Sequence, residues 1–92
     1  MIFEWDEKKN LENIDKHNVS FEVAQEAFFD KNRIIIFDKK HSKNEERFFC
    51  IGNDGHGIIT VRFTLRNDSI RIIGAGYWRE GKDIYEKEYL LH

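Results

Sequence analysis

The chain contains no proline, one cysteine and one methionine in its 92 residues, and no apolar run near the length of a membrane span. Without proline there is no stiff extended linker. Without a low-complexity stretch or an internal repeat, residues 1–92 read as a single domain, near the size where one hydrophobic core just suffices. The lone Cys50 cannot close an internal disulfide, so in its apolar run it reads as a small buried hydrophobe of a reducing compartment. A membrane span needs roughly 20 apolar residues, and the N-terminus shows no basic start followed by an apolar run. The expectation is a cytoplasmic protein, neither secreted nor membrane-bound. Strong charge of either sign is lacking as well. The net charge is −2, which excludes the broad positive field of a typical nucleic-acid binder and leaves room only for a local basic surface. Residues 57–73 supply one, with Arg62, Arg66 and Arg71 against Asp68 alone.

What the chain does have is 40% hydrophobic and 35% charged residues and eight phenylalanines, enough for a compact core. Ile2 to Trp5 alternate as a short strand. Asp6 can cap a helix running to about His17, with Leu11 and Ile14 as a sparse apolar face, and Asn18 fits its end. Ser20 is a second N-cap; Phe21, Ala24 and Phe28, with Val23 and Ala27, form the stripe of a buried-face helix. Arg33 to Asp38 is a β-branched run, and 39–46 a charged connection. Strands at Arg47 to Asn53, Gly57 to Arg66 and Ser69 to Ala75 follow, with turns at Asp54-Gly55 and Asn67-Asp68, then a helix from Glu80 to Leu91. In that helix Ile84, Tyr85 and Leu91 are expected to be buried. The fold class is α+β: an antiparallel sheet, βααβββ plus a further strand, with an N-terminal helix pair and a C-terminal helix.

Arginine is rarely buried unless paired, so strands that repeatedly carry it point to an anion, and a phosphodiester is the large anion such a face suits. Taking both turns as two-residue hairpin loops sets Arg66 opposite Ser69, Thr64 opposite Arg71, Arg62 opposite Ile73 and Arg47 opposite Arg62. All four arginines then share one face. The other face carries Phe48, Cys50, Ile59, Val61, Phe63, Leu65, Ile70 and Ile72, with no polar side chain. Two readings stand: an anion site, or a solvated face on which Glu45 or Glu46 neutralises Arg47.

His17 ends the first helix, where the dipole favours a cation; it is either a capping residue or a proton-transfer group. Lys9, Asn13 and Lys16 form a stripe roughly opposite Leu11 and Ile14, which geometry alone assigns to solvent. No Cys or acidic grouping stands at ligand spacing with His41, His56 or His92, so neither a metal site nor a cofactor is expected. Gly74-Ala75-Gly76 is not a phosphate-binding fingerprint and instead lets the backbone pass close to a neighbour. Tyr77, Trp78 and Arg79 either stack on a base or pack against a helix.

Phe3-Glu4-Trp5-Asp6, Lys9, Asn13, Lys16-His17 and Val19-Ser20-Phe21-Glu22 with Ala24 and Ala27, in that spacing, resemble the BrnT family of bacterial toxins. Glu45-Glu46-Arg47, Ile51-Gly52 and Ile70-Arg71-Ile72-Ile73 extend the likeness over nearly the whole chain. The resemblance implies a RelE-like fold, a metal-independent endoribonuclease that arrests growth by inhibiting translation, and a BrnA-like ribbon-helix-helix antitoxin through which DNA is met only indirectly. It also raises His17 and Lys16, which match the family's Lys-His pair, and Arg47 and Arg71. One position departs: where many members read Ser-Ala-Arg, this chain has Gly74-Ala75-Gly76, and Arg79 is the nearest replacement for the missing charge. The expected catalytic set is His17, Arg47, Arg62 and Arg71, with Lys16 and Glu46 in reserve, and Arg66, Arg79 and Trp78 as RNA contacts. The alternative is a non-catalytic module that binds antitoxin or RNA through the same face.

Overall fold

A computed structural model describes residues 1–90 of the chain. Strand β1 spans Ile2–Glu4. Asp6 then caps helix α1, Glu7–His17, its carboxylate accepting from the backbone N–H groups of Lys8 (2.8 Å) and Lys9 (3.3 Å). Asn18 closes α1 in the left-handed conformation, φ 56°, and donates its N–H to the Ile14 carbonyl. Ser20 caps the next helix through the Val23 N–H, as expected, but α2 covers only Phe21–Ala24 before tightening into a 3-10 turn, Gln25–Phe29. β2 (Ile34–Phe37), β3 (Arg47–Asn53), β4 (Ile58–Arg66), β5 (Ser69–Gly76) and α3 (Arg79–Leu90) complete the order.

The fold is α+β, with a five-stranded sheet in the order β1-β5-β4-β3-β2. The sheet is mixed, where an antiparallel one was expected. β1 runs parallel to β5, with Phe3 beside Ile70, because the first strand fills an edge that the last strand leaves open. Local patterning carries no information about so distant a pairing.

The core lies on one face, where Cys50, Ile59, Val61, Phe63, Ile72 and Ala75 meet Phe21, Ala24, Ala27 and Phe28. This is the apolar face counted from the sequence. Cys50 is wholly buried there, and burial pushes its thiol up to about 12, consistent with an inert hydrophobe. The 3-10 turn presses so closely that a Cβ at Gly52 would lie 2.6 Å from the Ala27 carbonyl oxygen. α3 crosses the opposite face at its Ile51 and Thr60 end, with Gly81 packed on Thr60. On α3, Tyr85 is half-buried and Ile84 stays 37% exposed, while Leu91 lies outside the described residues.

Three expectations need correction. In α1 it is Leu11 and Ile14 that face water, 60% and 39% exposed, while Asn10 and Asn13 are buried at 4% and 7%. Apolar patterning assigned the faces wrongly because this helix docks by hydrogen bonds. Asn10 accepts from the Phe21 N–H at 2.8 Å. Asn13 donates to the carbonyls of Val19 (2.9 Å) and Ala75 (3.0 Å) and accepts from the Ala75 N–H (3.1 Å). β1 pairs with β5 only as far as Arg71, so Asn13 serves Ala75 as a surrogate strand neighbour.

The β3–β4 connection is a four-residue loop, not two. The Asp54 carboxylate accepts from the N–H groups of His56 (2.7 Å) and Gly57 (3.0 Å), and Asn53 pairs with Ile58. Arg47 therefore lies opposite Thr64, not Arg62. A shift of two residues preserves the face, which is why the two-faced pattern survives it. Finally, a β-bulge between Arg62 and Phe63 leaves Ile73 unpaired and sets Arg62 opposite Gly74.

Candidate active site

The four arginines form a cross around Thr64: Arg62 and Arg66 two residues either side of it on β4, Arg47 and Arg71 opposite it on β3 and β5. Thr64 is only 1% exposed, and its hydroxyl donates to the Glu46 carbonyl at 2.6 Å. Three arms of the cross have carboxylates at hand. Glu45 stands 3.8 Å from Arg47 and 3.4 Å from Arg66, and Glu4 stands 3.6 Å from Arg71. These half-exposed pairs are long and worth little energetically, but they do balance charge. Among the described residues Arg62 alone of the four stands within 4 Å of no carboxylate.

Arg62 lies beside the bulge and under α1. Because α1 is docked through Asn13, its Lys9, Glu12, Lys16 and His17 border a cleft of about 240 Å³ with Arg62, Ile73, Gly74 and Trp78. Gly74 opens the floor: a Cβ there would sit 3.8 Å from the Arg62 Cδ and 3.9 Å from the Asn13 Oδ1. The His17 ring meets the Trp78 indole near-perpendicularly, centroids 5.2 Å apart. Trp78 is seated by Gly76, where a Cβ would lie 2.6 Å from the indole. The departure from the family pattern at Gly76 therefore has a physical counterpart, since any side chain there would displace Trp78.

Next to Trp78, the Tyr77 hydroxyl donates to Asp54. Burial first, then this carboxylate, pushes the Tyr77 phenol up to about 12. The bond ties the segment carrying Trp78 to the β3–β4 loop.

Of the expected residues, His17, Lys16, Arg62 and Trp78 converge on this cleft. Arg47 and Arg71 share the face but stand beside Thr64, outside the cleft walls; Arg47 lines a separate hollow with Lys40, His41 and Lys43. Arg66 is exposed at the hairpin end, Arg79 is exposed at the start of α3, and the Glu46 side chain is exposed beside β3. Three polar cleft residues were not assigned from the sequence: Lys9 and Asn13 fell on the stripe given to solvent, where Lys9 does stay exposed and Asn13 does not, and Glu12 carried no signal. Spacing offered the clue, since Lys9 and Lys16 share one face of α1 with Asn13, and Asn13 docks while the two lysines stay exposed beside it. Among the described residues, no three His, Cys, Asp or Glu side chains cluster as a metal site would require.

A small α+β domain that gathers a histidine, two lysines and an uncompensated arginine around one aromatic-walled cleft falls in the class of proteins suited to holding a phosphodiester. The family comparison agrees and is more specific. The family model described as "Ribonuclease toxin, BrnT, of type II toxin-antitoxin system" matches residues 5–81, and the chain belongs to that family. It is a ribonuclease toxin, with RNA as its substrate and an antitoxin as its partner. The matched span contains every residue of the cleft. No curated protein matches the chain.

Proposed function

We propose that the cleft under α1 cleaves RNA without a metal, by attack of a ribose 2′-hydroxyl on the adjacent phosphate. The 2′-oxygen loses its proton and bonds to phosphorus, the P–O5′ bond breaks, and the departing 5′-oxygen takes a proton. The products are a 2′,3′-cyclic phosphate and a 5′-hydroxyl. Such chemistry needs two proton-carrying groups and a fixed positive charge at the phosphorane. His17 and Glu12 are the proton carriers other than lysine in the cleft, and imidazole is the side chain suited to exchange near neutral pH. Arg62 is the phosphorane stabiliser, preorganised by its strand and by the bulge. Lys9 and Lys16 hold the flanking phosphates, and Trp78 offers a ring to a base. Arg47, Arg71 and Arg66 extend the positive track along the sheet, and Arg79 and Glu46 act outside the cleft.

The observation that carries this reading is the convergence of the exposed Lys9, Lys16 and His17 of α1 onto Arg62, the arginine of the four with no carboxylate within 4 Å among the described residues. A cleft in which Lys9, Lys16 and Arg62 face the single carboxylate of Glu12 disfavours a divalent metal, which supports the metal-free route. In the cell the activity arrests translation as a RelE-like toxin does, in the cytoplasm, and a BrnA-like ribbon-helix-helix antitoxin restrains it.

The test is incubation of purified protein with a mixed-sequence RNA in EDTA. Cleavage leaving 2′,3′-cyclic phosphate ends, with DNA of the same sequence untouched, is the expected result. Cleavage that requires added metal, or that leaves 3′-hydroxyl ends, contradicts the mechanism.

A further inference from the structure

Trp78 borders two hollows. One is the cleft with His17 and Arg62, and the other is a separate hollow of about 240 Å³ between α3 and the sheet. The second hollow is walled by Phe49, Ile51, Ile84 and the Trp78 indole, and Glu80, from the first turn of α3, adds an exposed carboxylate. Thr60 also lines it, and its buried hydroxyl has no hydrogen-bond partner among the described residues. Gly76 makes the arrangement possible, because a Cβ at that position would press into the indole dividing the two spaces. Flat aromatic and aliphatic walls with an exposed carboxylate on the lining are what a nucleobase needs: stacking surface for the ring and a hydrogen-bond partner for its edge.

Resting on the RNA-cleaving reading above, we infer that this second hollow is the subsite for the nucleobase adjoining the phosphate held at Arg62 and His17, and that Glu80 makes it select guanine. Guanine presents a ring N–H and an amino group side by side, two parallel donors that match the two oxygens of a carboxylate. Uracil sets its single ring N–H between two carbonyl oxygens, which a carboxylate repels. Adenine and cytosine place a ring acceptor beside the amino group and offer one donor direction only.

The test needs no cleavage. Calorimetric titration of the full chain with 3′-GMP, 3′-UMP and ribose 3-phosphate should show 3′-GMP binding about tenfold more tightly than 3′-UMP. Glu80→Gln should bring the two nucleotides within about threefold of each other and leave ribose 3-phosphate unaffected. Ile84→Phe, which narrows the hollow with an apolar ring, should weaken both nucleotides and again spare ribose 3-phosphate. Circular dichroism establishes that each variant is folded, and either one alone suffices. Equal affinity of the unaltered protein for 3′-GMP and 3′-UMP, a preference for 3′-GMP unchanged in folded Glu80→Gln, or nucleotide affinities unchanged in folded Ile84→Phe, overturns the subsite. Guanine preference without RNA cleavage supports the subsite and overturns the catalytic reading, and cleavage without preference does the reverse.

Discussion

Arg62 and Arg66 are four residues apart on one strand and point to the same face, yet they have different surroundings. Arg66 is exposed and shares Glu45 with Arg47, whereas Arg62 is half-buried in the cleft with no carboxylate within 4 Å among the described residues. Arg62→Ala is expected to lower kcat for RNA cleavage by about 100- to 1,000-fold, the usual loss when one preorganised transition-state donor is removed. Arg66→Ala should change it by less than about fivefold, since the pair it breaks is exposed. Steady-state kinetics on one RNA oligonucleotide separates the two. The sequence set Arg62 in the catalytic set and Arg66 only among the RNA contacts, but it did not show their neighbours, which depend on which carboxylates the connection at 39–46 and β1 bring alongside. Asn13 was legible only as a polar residue on a polar stripe. Its burial follows from the three backbone groups of Val19 and Ala75 that it bonds, which no periodicity encodes. Asn13→Leu should destabilise the fold by about 2 kcal/mol or more, read from the urea midpoint, despite placing an apolar residue in a buried site.

At the scale of elements, the five strands expected from alternation, β-branched runs and turn residues are all present, and β3 matches its expected limits residue for residue. Loop length was less legible. Asp54-Gly55 is a strong two-residue turn signal, but the Asp54 carboxylate organises the next two residues as well, through the N–H groups of His56 and Gly57. The bulge at Arg62 and the parallel edge pairing were invisible for the opposite reason, since both depend on partners distant in sequence. Two tyrosines staple these elements. Tyr77 donates to Asp54, and Tyr85 of α3 donates to Asp30 at 2.6 Å. Burial first, then the neighbouring carboxylate, raises both phenols to about 12 from 10.0. A raised folded value means the protonated phenol stabilises the fold. The contribution is complete below pH 10 and is lost as pH climbs from 10 to about 12. Stability measured by denaturant titration should fall across that window, and Tyr77→Phe with Tyr85→Phe should flatten the decline. Asp30 works in the other direction. Burial raises its carboxyl, but the bonds from Tyr85 and from the Asn53 and Asn32 N–H groups outweigh this and leave it lowered from 3.8. Its contribution is present above that value and fades as pH falls through the lower, folded one.

Over the whole molecule, a net charge of −2 coexists with a concentrated basic surface because Glu and Asp gather toward the chain ends while three arginines fall in 57–73. That division was readable from the sequence. Which part of the basic surface forms a cleft was not, because it required the docked face of α1. Substrate binding by a few clustered cations should weaken steeply with salt, with a slope set by the number of phosphates neutralised. The most direct measurement compares RNA cleavage in EDTA by the unaltered protein, His17→Ala and Lys9→Ala, each shown to be folded by circular dichroism. The unaltered protein should cut RNA, and both variants should lose about 100-fold or more of that rate. Variants that are folded and still cut at the unaltered rate would place the chemistry outside the α1 cleft and contradict the assignment.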